Sequence, residues 1–159
     1  MDSKIKPFLW FDSQAGEAAE FYVSVFKNSK ITTISHYPES SPVKAGEVLV
    51  VAFELDGMPF MALNAGPEFK FNPAVSFVIS CDTQEEVDGY WSKLTADGGK
   101  ESQCGWLEDK FGLSWQVVPN LLGELITDPD PAKAGRVMGA MMQMQKIDMQ
   151  ALQDAYDGK

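Results

Sequence analysis

Apolar and polar positions switch between two periods along this chain, and the switches outline its elements. Residues 5–11 (IKPFLWF) form an apolar run that predicts a buried strand. Asp12 and Ser13 then supply helix-start chemistry, and Ala18, Phe21, Tyr22, Val25 and Phe26 recur at helical spacing between Gln14 and Lys27. The β-branched stretch KITTISHY at 30–37 predicts a second strand. PESSPVKAG at 38–46 is a loop by its prolines, serines and glycine. VLVVAFEL at 48–55 and MPFMALN at 58–64 flank Asp56-Gly57. That pair is a hairpin signal, because a two-residue turn requires positive φ, which glycine adopts at little steric cost.

The same order then recurs. AVSFVISC at 74–81 predicts a strand, and Thr83 with Glu86 matches a capping box that satisfies free amides at a helix start. Val87, Tyr90, Trp91 and Leu94 share one face of the helix it opens, which Asp97, Gly98 and Gly99 end. Short strands follow around Lys100–Cys104 and Trp106–Asp109, and Gly112 turns the chain into a last strand from Ser114 to Pro119. Each first strand ends before an aspartate, Asp12 or Asp82, and each helix carries an aromatic pair, Phe21-Tyr22 or Tyr90-Trp91. The offsets are 70 and 69 residues. The pattern predicts an α+β domain over 1–120, made of paired βαβββ modules at 1–66 and 72–120. Each sheet carries a helix on one face, and the pair is expected to form a cupped mixed sheet around a cleft.

A helical extension is expected over 121–159. Asp130 can cap a helix with Pro131 at its first position, and Met138, Met141, Met142 and Met144 populate that helix. Asp148 can cap a final short helix with Leu152 and Tyr156 one turn apart. The methionines suit core packing or a subunit contact, with an adaptable binding surface as the alternative.

Composition narrows the partners. The 159 residues carry a formal net charge of −10, a field that repels phosphate backbones and anionic lipid, so neither nucleic acid nor membrane is expected. The apolar run Pro7–Phe11 is too short for a signal-peptide core or a spanning helix. Two isolated cysteines, Cys81 and Cys104, support neither a disulfide framework nor a cysteine-rich zinc site. A cytoplasmic protein is expected.

Several stretches resemble a known family. PFLWF with AAEFYVSVF, then MALNAGPEFKFNPAVSF, QEEVDGYWSKL and CGWLEDKFGLSWQVVP are similar to the PhnB-like branch of the vicinal oxygen chelate superfamily. That superfamily includes glyoxalase I, bleomycin-resistance proteins and extradiol dioxygenases. The branch is often labelled 3-demethylubiquinone-9 3-methyltransferase, but this chain has no glycine-rich strand-to-helix turn of the kind that holds nucleotide-like cofactors. The resemblance covers residues 5–120 and implies a homodimer. It also places the superfamily's metal ligands at Lys6, Met61 (or Ala62, one register on), Ser76 and Gln116. Lysine, methionine, serine and glutamine are poor ligands for a hard or borderline cation, so no metal is expected, and no cofactor either.

If Lys6, Ser76 and Gln116 face the cleft, strand alternation puts Phe8, Trp10, Val78, Ser80, Ser114 and Val118 there too. Leu9, Phe11, Phe77, Ile79, Cys81, Trp115 and Val117 then pack beneath the helices. The expected pocket is Phe8, Trp10, Met61, Ser76, Trp106 and Gln116, an amide and a hydroxyl among aromatic walls. His36, Glu54 and Glu108 are candidate acid-base groups and Cys104 a candidate nucleophile. These residues suit a small-molecule binding protein or a non-metal enzyme. The alternatives are a metal-dependent lyase or dioxygenase with atypical ligands, and a drug-sequestering resistance-type protein.

Overall fold

The computed structural model describes residues 3–159. One unit runs to Phe71 and the second from Asn72 to Lys159. In the first, β1 (Phe8–Phe11) leads through α1 (Ala15–Val25) to β2 (Lys30–His36), β3 (Val48–Leu55) and β4 (Met58–Asn64). The sheet order is β1-β4-β3-β2, with β1 parallel to β4 and the other pairs antiparallel. In the second, β5 (Ser76–Cys81) and α2 (Gln84–Thr95) precede β6 (Lys100–Glu101), β7 (Trp106–Glu108) and β8 (Ser114–Pro119). Its order is β5-β8-β7-β6, with β5 parallel to β8. The two topologies are identical, so the duplication legible in the sequence is a duplication of structure.

Alternation decides which face of each sheet is buried. Leu9, Phe11, Val51, Phe53, Phe60 and Ala62 are all buried, and α1 buries Ala15, Ala18, Ala19, Tyr22 and Val25. The Tyr22 ring stacks over Phe53 at 6.4 Å, and Phe53 over Phe60 at 5.5 Å. Each such side chain contributes roughly 1.5–3 kcal/mol when removed from water. In the second unit Ile79, Cys81, Trp115 and Val117 are buried, as are Val87, Trp91 and Leu94 of α2.

Local signals behaved differently in the two units. The Asp56-Gly57 turn takes positive φ at both positions, 47° and 78°, and joins β3 to β4 as expected. Thr83 Oγ1 accepts from Glu86 N at 3.2 Å, and Glu86 Oε2 accepts in return from Asp82 N at 2.8 Å, one residue ahead of the cap. At α1, however, neither Asp12 nor Ser13 is the cap. Gln14 holds that position without a side-chain hydrogen bond, and Asn64 Oδ1 of β4 accepts from Ala15 N at 2.8 Å. The parallel β1/β4 pairing brings Asn64 beside Phe11, which delivers a distant side chain to the helix start.

The C-terminal stretch packs on the second unit. A helix that no cap signal announces, α3 (Asn120–Ile126), follows β8 directly and buries Leu122 and Leu125, three residues apart. Asp130 and Asp148 cap α4 (Pro131–Met141) and α5 (Met149–Asp157) as their sequences foretell. The methionines do not all lie in one helix, since α4 ends at Met141. Met141 and Met144 pack on the cluster of Leu122, Leu125, Val137, Ile147 and Leu152, whereas Met138 and Met142 are exposed. The turn after α4 docks on the Cys104-Gly105 loop. There Cys104 N donates to Met144 O and Gly105 N to Gln145 O, both at 2.8 Å. Gly105 has φ +84°, and a Cβ there would lie 2.8 Å from Val117 O, so only glycine fits.

Candidate functional site

Residues paired across neighbouring strands point to one side of a sheet. In the first unit Phe8 pairs with Met61 and Met61 with Ala52, while Trp10 pairs with Leu63 and Leu63 with Val50. These two rows lie on the face opposite the Phe53–Phe60 stack, the face α1 leaves uncovered. Phe8 is 53% exposed and Met61 half-buried. Trp10 is more committed. Its indole Nε1 donates to Gly66 O at 2.9 Å, and Phe69 meets its ring edge-on at 5.0 Å.

The second unit presents the corresponding rows. Val78 pairs with Gln116, and Gln116 with Trp106. Val78 is 59% exposed. Gln116 Nε2 donates to Ser76 Oγ at 2.9 Å, so the amide is held along its own sheet with its carbonyl oxygen left as an acceptor. Ser114 shares the face but is almost fully buried, against the expectation of an open hydroxyl. Phe8 and Met61 thus meet in one unit, and Ser76, Trp106 and Gln116 in the other.

The remaining candidates have structural settings. His36 is exposed near the end of edge strand β2. Glu54 pairs with Lys30 at 3.4 Å and Glu108 with Lys100 at 3.6 Å, both at the surface. Cys104 sits at φ +58° in the loop held by the C-terminal stretch. Burial, with Glu86 and Asp82 nearby, pushes the Cys81 thiol up to about 11, so it stays protonated and weakly nucleophilic at neutral pH. Asp109, which sequence reasoning passed over, is buried. It accepts from Phe111 N at 2.8 Å, Leu113 N at 3.1 Å and Trp115 Nε1 at 2.8 Å, which fixes the β7–β8 turn.

The fold family's metal positions do not fit a divalent ion. Lys6 brings an ammonium, Met61 a thioether and Ser76 a hydroxyl already bonded to Gln116. The Gln116 carbonyl and the Ser76 hydroxyl are hard donors but neutral, and neither an imidazole nor a carboxylate stands at any of these positions. Among the described residues no cluster of three His, Cys, Asp or Glu side chains is arranged to hold a metal.

Sequence reasoning also missed a depression of about 370 Å³ beside the hairpin end of β3 and β4. Its lining includes Ser3, Lys6, Thr32, Glu54, Pro59 and Met61. Thr32 reaches it because pairing shifts register between Ile31 and Thr33, a bulge that nothing in KITTISH announces.

The family profile of 3-demethylubiquinone-9 3-methyltransferase matches residues 3–118. This chain belongs to that family. Among solved structures, the PhnB protein of Bacillus cereus is 39% identical with a TM-score of 0.68, over 74% of this chain and 99% of that one. Protein PA1353 from Pseudomonas aeruginosa, 19% identical with a TM-score of 0.63, covers 74% of this chain and is itself covered over 98%. The fosfomycin resistance protein FosX of Listeria monocytogenes, 13% identical with a TM-score of 0.52, matches 78% of this chain and 98% of its own. These last two share the fold. No curated protein matches the sequence. The 3-demethylubiquinone-9 3-methyltransferase-family chain is therefore a PhnB-like member of the vicinal oxygen chelate superfamily, as its motifs implied. Its residues 119–159 lie outside the family match. Among the described residues no helix is long and apolar enough to cross a membrane.

Proposed function

We propose that this PhnB-like protein binds a small organic molecule on the open faces of its sheets, without a resident metal. One observation carries the reading. Phe8 and Val78 are 53% and 59% exposed on faces that also hold Met61, Trp106 and the Gln116 amide. Water-exposed apolar side chains beside an oriented hydrogen-bonding group are what burial of a small ligand needs. We further infer a homodimer, supported by the exposed Met138 and Met142, and a cytoplasmic location, supported by two free cysteines.

Thermal-shift screening of quinones, thiol adducts and cationic drugs tests the reading. A true ligand at a hundredfold excess over its Kd raises the midpoint by about 5–10 °C. Phe8→Ser for a ligand on the first unit's face, or Trp106→Ala for one on the second unit's face, should reduce that shift at least by half while circular dichroism stays unchanged. A full shift in both variants would put the ligand elsewhere.

A further inference from the structure

The depression beside the β3–β4 hairpin is lined by a lysine, in a protein of net charge −10. Lys6 lines it and takes part in no ion pair or hydrogen bond among the described residues. Glu54, the carboxylate on the same lining, is already paired with Lys30 at 3.4 Å. Lys6 is thus a lysine on the lining that has no ion-pair partner among the described residues.

The neutral polar groups narrow the ligand further. Thr32 Oγ1 donates its proton to Ala52 O at 3.0 Å, and Ser3 Oγ donates to Ile5 O at 2.7 Å. Both hydroxyls are then left with lone pairs to offer, not protons. The lining thus holds one cationic donor, the acceptors Ser3, Thr32 and Glu54, and the apolar surface of Pro59 and Met61. A complementary molecule has an anionic acceptor for Lys6, a hydrogen-bond donor near it, and a small apolar body. The volume of about 370 Å³ lies at the low end for small-molecule sites.

We propose that this depression binds a small carboxylic acid bearing an adjacent hydroxyl or ammonium group, with Lys6 holding the carboxylate. The inference deepens the open-face reading, on which it rests, because Met61 belongs to both the face and the depression. The sheet fixes the acceptor side, since Glu54 pairs with Pro59 and Lys30 in one row. Lys6 supplies the cationic part of the lining. An ammonium-carboxylate contact gives orientation as well as attraction, which the overall acidic field would otherwise oppose.

The test is an NMR titration of the full chain with mandelate, using mandelamide and phenylacetate as controls. Mandelate should shift the amides of Thr32, Glu54 and Met61. Phenylacetate, which lacks the hydroxyl, should bind more weakly, and neutral mandelamide should leave these amides unmoved. Lys6→Gln should weaken mandelate binding about tenfold or more, and Lys6→Arg should retain most of it. Lys6 is exposed, so both variants are expected to fold, which circular dichroism verifies. Unmoved amides, or equal affinity in Lys6→Gln, overturn the inference. Mandelate shifts confined to Val78, Trp106 and Gln116 would overturn it too, yet leave the open-face reading standing. A chain that answers neither mandelate nor the wider ligand screen counts against both.

Discussion

Asn64 serves two elements with one side chain. Its Oδ1 accepts from Ala15 N at 2.8 Å and its Nδ2 donates to Val48 O at 3.1 Å, while the residue itself is buried. Thr83 performs the matching capping role in the second unit at an exposed site. The two caps should therefore differ in cost. Asn64→Ala strands a buried donor, Ala15 N, and a part-buried acceptor, Val48 O, and should lower unfolding free energy by about 2–3 kcal/mol, against about 1 kcal/mol for Thr83→Ala, where water can substitute. Urea denaturation of both variants measures the difference. Cys81 supplies a second prediction at this scale. Its thiol is raised from 9.0 to about 11, chiefly by burial. The contribution of the un-ionised thiol is fully present below pH 9. Between pH 9 and about 11 the unfolded chain ionises this thiol while the folded one resists, so stability falls as pH rises. A Cys81→Ala variant should show a shallower alkaline loss when midpoints are compared from pH 8 to pH 11.

At the scale of elements, the stretch beyond the family match is bound to the second unit at several points. Gln84 Nε2 donates to Ile147 O at 3.0 Å and Gln84 Oε1 accepts from Met149 N at 2.8 Å. Lys146 reaches Asp88 at 2.7 Å. Ile147 is fully buried and lies against the Gly105 loop that leads into Trp106. Truncating it leaves a cavity that helices α3 to α5 cannot close without moving. Ile147→Ala should cost about 2–5 kcal/mol. It should also speed hydrogen exchange at the Cys104 and Gly105 amides, whose acceptors are Met144 and Gln145. Unchanged exchange at those two amides would mean that the loop holds its shape without the C-terminal stretch.

For the whole molecule, the repeated sheet order and the exposed apolar side chains set the remaining expectation. Met138 and Met142 keep more than a third of their surface open. A lone chain that leaves such groups in water gains from covering them with a second copy. Light scattering should return twice the mass of one chain, and Met142→Lys with Met138→Lys should shift that value toward one if these methionines form the contact. A single-chain mass for the unaltered protein would refute the dimer.

The sequence by itself determined the duplication, the hairpin turn, the capping box and the buried parity of β1, β5 and β8, save that Phe77 is only half-buried and Ser114 is buried. These rest on period, φ preference and local hydrogen bonding, which a short stretch of chain carries within itself. Trp10, Ser114, Asp12 and Thr32 mark where that reach ended. The Gly66 carbonyl, the burial of Ser114, the replacement of Asp12 by Asn64 as partner to α1, and the bulge that brings Thr32 to the depression were decided by tertiary structure. Each depends on residues brought together from separate parts of the chain, whose register is fixed only when strands pair and the core excludes water.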